Sequence, residues 1–412
     1  MRFAPLHLAF FWLVAPRAAR AQHEHMAMAA DTVSLPDVSM HRMSSGTAWL
    51  PDASPMRGAH LMLGAWQVMA HGSAFLQDIR DFGTRGSYQL GSVNWFMLVA
   101  THPLAGGDLR FRTMASAEPW TVGARGYPEL LQVAEPYQGD VVTDRQHPHE
   151  FLSEAAAEFE HTVSSRLAVS LYTGPVGEPA LGPVAYMHRP SAADDPIAPL
   201  GHHLQDVTHT SFGVVTVGAF TPTLKLEASA FNGAHPDDDR TNIDPVRLDS
   251  YSGRITVNPG SAWSLAGWFG HIAAQSGAHV HDAVDRLGIS LLHGRGAWSS
   301  ALIWGADVDA GRLRGALLVE SEAQLDSQDV LFGRAEYVRR TAQDLALVGS
   351  VPPELDIGAL TLGMARRVAR FRSFAARLAA QGTVRVLPQE LALFYGSRNP
   401  LGLAVSLNVR PE

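Results

Sequence analysis

The chain has 412 residues, with 32 Lys and Arg against 40 Asp and Glu for a net charge of −8, and it contains no cysteine. An acidic chain offers no electrostatic footing for nucleic acid. Without cysteine there is neither a disulfide framework nor a thiolate, so any metal must be held by His, Met, Asp or Glu.

The opening MRFAPLHLAFFWLVAPRAARAQ reads as a secretory signal peptide over 1–21: Arg2, an apolar run from Phe3 to Ala15, and Ala19-Arg20-Ala21 as a small-x-small cleavage pattern. The run is shorter than the about 20 residues that a bilayer-spanning helix needs. Removing Arg2, Arg17 and Arg20 takes the formal charge to −8 − 3 = −11. A tail over 22–57 follows, carrying His23, His25, Met26, Met28, Met40, His41, Met43 and Met56. Thioether and imidazole together favour soft or borderline ions such as copper over calcium or magnesium. The competing reading is a polar tail without fixed structure.

From residue 58 onward the sequence alternates with a period of two. In SFAARLAAQGTVRV, Phe374, Ala376, Leu378 and Ala380 oppose Ser373, Arg377, Gln381 and Arg385, and the last segment sets Leu403, Val405, Leu407 and Val409 against Ala404, Ser406, Asn408 and Arg410. Many such segments have the about ten residues that a tilted strand needs to cross a hydrocarbon core. About sixteen begin near residues 58, 91, 107, 148, 166, 210, 223, 248, 262, 283, 297, 312, 328, 356, 373 and 400. Short connections follow every second strand, and long ones alternate with them over 119–147, 174–209, 232–247, 274–282, 340–355 and 386–399. This rhythm predicts an all-β fold, a closed antiparallel transmembrane barrel over 58–412 with long extracellular loops and short periplasmic turns. Trp95, Trp120, Trp263, Trp268, Trp298, Trp304 and Tyr337 fall mostly near strand ends, where interfacial girdles form. Charges such as Arg110, Arg112, Lys225, Glu227, Arg254, Glu320, Arg334 and Arg385 must face the lumen, because the lipid side would cost a few kcal/mol for each.

Two loops add candidate metal ligands. In DRQHPHEF, His147 and His149 stand two apart, so extended chain puts both imidazoles on one face, and Pro148 marks a strand edge or the loop leading into it. In GHHLQDVTH, from Gly201 to His209, a helical turn would set His202, Asp206 and His209 at i, i+4 and i+7 on one face. His203 is adjacent, and His188 lies upstream in the same long connection. These residues read either as ligands for copper or zinc, as the lining of a constriction near the barrel mouth, or as hydrogen-bonded struts of a packed loop. No segment shows a nucleophile motif, so an enzyme is not the expectation.

The stretches GTAWLPDASPM, NWFMLVATHPL, YPELLQ, DRQHPHEF, GPVGEPALGPVAYMHRPSA, GHHLQD, SAFNG and RLDSYSGR together resemble a group of Gram-negative outer-membrane β-barrel proteins that accompany heavy-metal and copper resistance systems. The Met/His-rich leader and the barrel also resemble copper resistance protein B. The resemblance implies a barrel, an outer-membrane address and a lipid environment. Outer-membrane barrels commonly end in an aromatic residue, whereas this sequence ends Val409-Arg410-Pro411-Glu412. Two functions remain open: a transport or sequestration component for a transition metal, working with periplasmic efflux partners, or a small-solute channel or filled structural barrel.

Overall fold

The computed structural model describes residues 38–133, 137–274, 282–309, 311–349 and 351–412. The signal peptide and the tail residues His23, His25, Met26 and Met28 lie outside these.

In chain order the strands are β1 (Ala59–Leu63), β2 (Trp66–Asp81), β3 (Tyr88–Leu104), β4 (Gly107–Ala115), β5 (Tyr127–Val133), β6 (Thr143–Gln146), β7 (Leu152–Ser164), β8 (Leu167–Val176), β9 (Val214–Phe220) and β10 (Leu224–Phe231). They continue with β11 (Ser250–Gly260), β12 (Trp263–Ile272), β13 (Val284–Arg295), β14 (Trp298–Asp309), β15 (Arg312–Gln324), β16 (Asp329–Thr341), β17 (Glu354–Phe371), β18 (Phe374–Val386) and β19 (Leu401–Pro411). β2 to β4 and β7 to β19 form a closed antiparallel barrel of sixteen strands. The seam is β19 against β2, in register from Gly402 opposite Asp81 to Val409 opposite Ala74. The remaining edge of β2, Trp66 to Ala70, is taken by the short hairpin strand β1. β5 and β6 make a separate hairpin inside the connection between β4 and β7. Fifteen of the sixteen anticipated strand starts fall within four residues of the observed ones, while the first, 58, falls on the hairpin strand β1 and the barrel strand itself begins at Trp66; the alternation of the ladder puts the six anticipated long connections at one end of the barrel.

The alternation sorts side chains by phase. In β19 Leu401, Leu403, Val405, Leu407 and Val409 are exposed on the outer wall, while Gly402, Ala404, Ser406, Asn408 and Arg410 are buried inside. An apolar outer belt around a closed ladder satisfies every backbone group internally and suits a bilayer, so the protein is an outer-membrane barrel. Trp263 and Trp298 stand on the outer wall at the short-turn end, as interfacial anchors do. Trp95 and Trp268 do not join a girdle. They share the lumen phase of β3 and β12, with Val93 and Met97 and with Ile272, so strand parity overrides nearness to a strand end.

The lumen is filled by chain. Residues 38–57 lie inside it toward the short-turn end, where Trp49 packs edge-on against Phe220 and under the Lys225 ammonium and the Arg42 guanidinium. Lys225 Nζ donates to Thr47 O at 2.8 Å, Asn258 to Leu50 O at 2.9 Å and Arg112 to Ser44 O at 2.6 Å. The connection 177–213 enters from the opposite end and packs Leu181 and Val184 against Phe231, Trp268, Ile303 and Leu318. Its polar anchors are buried ion pairs: Arg189 to Glu320 at 2.6 Å, Asp195 to Arg334 at 3.1 Å and Asp194 to Arg410 at 3.0 Å. Lumen charges are thus spent on holding the plug. Isolated buried charges are expensive, and paired, hydrogen-bonded ones are tolerated.

Candidate metal centre in the lumen

Two connections that leave neighbouring hairpins meet inside the barrel. From the loop between β4 and β7 come Glu118, at the start of the short helix α1 (Glu118–Thr121), and His147 and His149 just ahead of β7. From the loop between β8 and β9 come Tyr186, His188 and the GHHLQDVTH stretch, which forms the one-turn helix α2 (His202–Gln205) followed by a 3₁₀ turn over Val207–His209. Gly201 permits this descent: a Cβ there would lie 2.5 Å from the Ala316 methyl, so the helix start can press against β15 only as glycine. The backbone of Leu204 and Gln205 passes similarly close to Gly305 of β14. The stretch therefore lies in the lumen, below the rim where the sequence placed it.

Folding brings five imidazoles together. Ring centroids are 4.9 Å apart for His202 and His203, 4.9 Å for His202 and His209, 5.2 Å for His147 and His203, and 5.5 Å for His149 and His209. Two ligand groups result, His147 with His202 and His203, and His202 with Asp206 and His209, the donor atoms in each lying within 4.8 Å of one another. Donors on one tetrahedral zinc with bonds of about 2.0–2.1 Å stand about 3.3 Å apart, so closing either group on an ion requires its side chains to draw inward. His202 belongs to both. His188 is not in this cluster; its ring lies tilted against Trp95, with centroids 4.5 Å apart, on the other side of Tyr186. His41 and Met40 belong to the short-turn end, His41 Nδ1 lying 3.0 Å from Ser54 O.

Neighbouring groups orient the rings. Nδ1 of His147 lies 2.9 Å from Pro148 O, Nδ1 of His209 lies 2.8 Å from Asp206 O, and Nδ1 of His149 lies 2.8 Å from a Glu118 carboxylate oxygen. A carbonyl can only accept, so the first two rings carry their proton on Nδ1 and turn the Nε2 lone pair inward, the form in which histidine binds metals. His202 Nδ1 contacts the Asp206 carboxylate. Nε2 of His202 and of His149 is buried without a hydrogen-bond partner among the described residues. Burial, and then His202 beside it, pushes His209 down to about 4, so that ring is neutral near pH 7. Burial also works against protonating His149, but the Glu118 carboxylate outweighs it and raises that pKa. Asp206 is held below the usual carboxylate range because His202 outweighs its desolvation.

Access comes from the loop end. A vestibule of about 290 Å³ opens there, lined by Asp307, Asp309 and Asp344 with Arg286 and Arg340, and His203 stands in its wall. The sequence had marked the histidines and Asp206. It had not marked Glu118, which orients His149, or Tyr186, whose ring lies against His149 and His202; Glu118 looks like any loop carboxylate until the fold carries it to His149.

Fold and site together define an outer-membrane β-barrel whose own loops close its lumen around a histidine cluster. No protein-family model and no curated protein matches this chain. Among solved structures, the Salmonella typhi OmpF complex with daunomycin is similar with a TM-score of 0.54 and 8% identity, covering 85% of this chain and 100% of that one. The loop L8 deletion mutant of OmpT, an outer membrane protein of Vibrio cholerae, has a TM-score of 0.48 at 10% identity, covering 84% and 99%. The anion-selective porin from Comamonas acidovorans has a TM-score of 0.46 at 12% identity, also covering 84% and 99%.

Proposed function

We propose that this barrel is a non-enzymatic, metal-handling component of the outer membrane, which admits a divalent transition ion such as copper or zinc from the loop end and holds it at the histidine cluster. The observation that carries this reading is the convergence of His147, His149, His202, His203 and His209 with Asp206 in a lumen otherwise furnished with paired charges. Buried imidazoles cost desolvation, and two of these rings present an Nε2 with no hydrogen-bond partner among the described residues, free to serve as a donor. Nitrogen donors with one carboxylate suit zinc or copper(II) and exclude a calcium-type all-oxygen cage. The resemblance to barrels that accompany copper resistance supports the same reading, with handover to periplasmic efflux partners as its second half.

A wide small-solute pore fits poorly with a lumen occupied by residues 38–57 and 177–213. A filled structural barrel is the reading to beat. Calorimetric titration of the refolded protein with Zn(II) and Cu(II), in a background with His23 and His25 replaced by Gln, separates the two. Metal handling predicts tight binding that weakens by about 100-fold in His202→Ala, since that ring serves both ligand groups. An unchanged isotherm for His202→Ala, or no heat from the parent barrel, leaves the filled barrel standing.

A further inference from the structure

A second ligand set lies on the other side of Tyr186, toward the short-turn end. Among the described residues nine methionines occur, and two of them, Met62 and Met364, face outward with 55% and 46% exposure. Six of the other seven meet in one sector of the lumen, and Met40 is 39% exposed. Met69, Met97 and Met114 form its buried base on β2, β3 and β4, and Met43, Met56 and Met187 pack against them. Met40 completes the lining. Elsewhere in the lumen the apolar positions are filled by Leu, Ile, Val and Phe. Methionine used as a flexible gap-filler would be scattered among them; here five chain segments, residues 38–57, β2, β3, β4 and the connection 177–213, deliver it to one place.

Two histidines share the site. His71, two residues after Met69 on the same face of β2, and His188, next to Met187, have ring centroids 5.7 Å apart, and both lie against Trp95. His188 Nε2 points at Met114 Sδ, 3.4 Å away. Below, His60 Nε2 lies 3.1 Å from Met56 Sδ. Imidazole nitrogens aimed at thioether sulfur are weak hydrogen bonds at best, but N and S facing each other is the donor arrangement that a soft ion bridges. The surrounding cavity has a volume of about 120 Å³, ample for an ion.

We infer that Met43, Met69, Met114 and Met187, with His71 and His188, form a second site for a soft monovalent d¹⁰ ion, copper(I) or silver(I). Thioether sulfur selects such ions and has little affinity for zinc. The inference goes beyond the histidine cluster and stands without it. Tyr186 and His188 line its loop-side wall, and Pro55, Met56 and Arg57 are shared with a further cavity at the short-turn end beside Glu322, Arg377 and Glu412.

The test uses the refolded full chain with His23 and His25 replaced by Gln and Met26 and Met28 by Leu, so that the leader contributes no ligand. Silver(I) and Zn(II) are titrated separately into this parent, into Met69→Leu/Met114→Leu/Met187→Leu, and into His202→Ala. Met-to-Leu exchange keeps volume and apolarity, so the barrel is expected to fold, and a normal Zn(II) isotherm or retained heat-modifiable gel mobility shows that it has. The expected result is that the leucine variant loses silver(I) affinity by at least about tenfold, the scale on which even outer partners of a ligand act, and that His202→Ala keeps it. Quenching of Trp95 fluorescence by silver(I), absent in Trp95→Phe, locates the ion. Unchanged silver(I) binding in a folded leucine variant overturns the inference, and so does a parent that binds no silver(I). Loss of zinc alone in His202→Ala bears on the histidine cluster and leaves the sulfur site intact.

Discussion

At the scale of single residues, the lumen depends on carboxylates that serve more than one partner. Glu320 accepts from Arg189 and from Ser191 at 2.6 and 2.8 Å and lies 3.4 Å from Arg334. Glu320→Ala leaves the buried Arg189 guanidinium without its carboxylate and Arg334 with Asp195 alone, which costs about 3–5 kcal/mol; a lower unfolding midpoint and faster proteolysis within 177–213 are the expected readouts. His209 predicts a pH dependence for the metal-free barrel. Its pKa falls from 6.5 when unfolded to about 4 in the fold, so its neutral form contributes stability that is complete above pH 6.5 and is lost as pH falls toward 4. His149 works the other way: its raised pKa adds stability below its unfolded value, lost as pH rises through the folded one. Protease sensitivity of 177–213 should therefore rise between pH 6.5 and 4, and His209→Gln should flatten that rise. That His202, Asp206 and His209 come together was legible from their closeness in one short stretch, although the helix ends at Gln205 and a separate turn carries His209. Glu118 and Tyr186 were not, since nothing local says which loops will meet.

At the scale of elements, strand phase was the readable quantity. β18 and β19 alternate so regularly that wall and lumen faces follow from the sequence, whereas β7 and β9 begin later than expected, because Pro148–Phe151 and Thr210–Gly213 still belong to the loops. Pro148 has no N–H for a ladder, which is why pairing starts at Leu152. The same parity, carried through, puts Met69, His71, Met97 and Met114 on the lumen side; the sulfur site was readable in part, yet methionine in a strand passes for core. Phase also yields a sharp contrast for β19. Val405→Arg on the outer wall should destabilise the barrel by about 2–4 kcal/mol in lipid bilayers, while Ser406→Ala on the inner face should cost far less, as reported by denaturant titration of folded and unfolded populations.

At the scale of the whole molecule, closure of the ladder and closure of the lumen are separate matters. Sequence rhythm foretold the first, because turn length and alternation are local. It left the second open, because a plug is held by contacts between residues far apart in the chain, such as Arg57 with Glu322 and Arg112 with Ser44. Single-channel recording should accordingly find the intact barrel nearly silent, and a barrel lacking 22–57 conducting in larger, steadier steps. A silent truncation would assign the obstruction to 177–213 alone.

Residues 38–57 hold the inner half of the lumen shut and at the same time donate Met43 and Met56 to its sulfur pocket. Seating of this segment and completion of that pocket are therefore a single equilibrium. Traction on the leader from the periplasmic side would widen the bore and withdraw two sulfurs in one movement, which makes ionic current and soft-metal retention reciprocal readings of the same displacement.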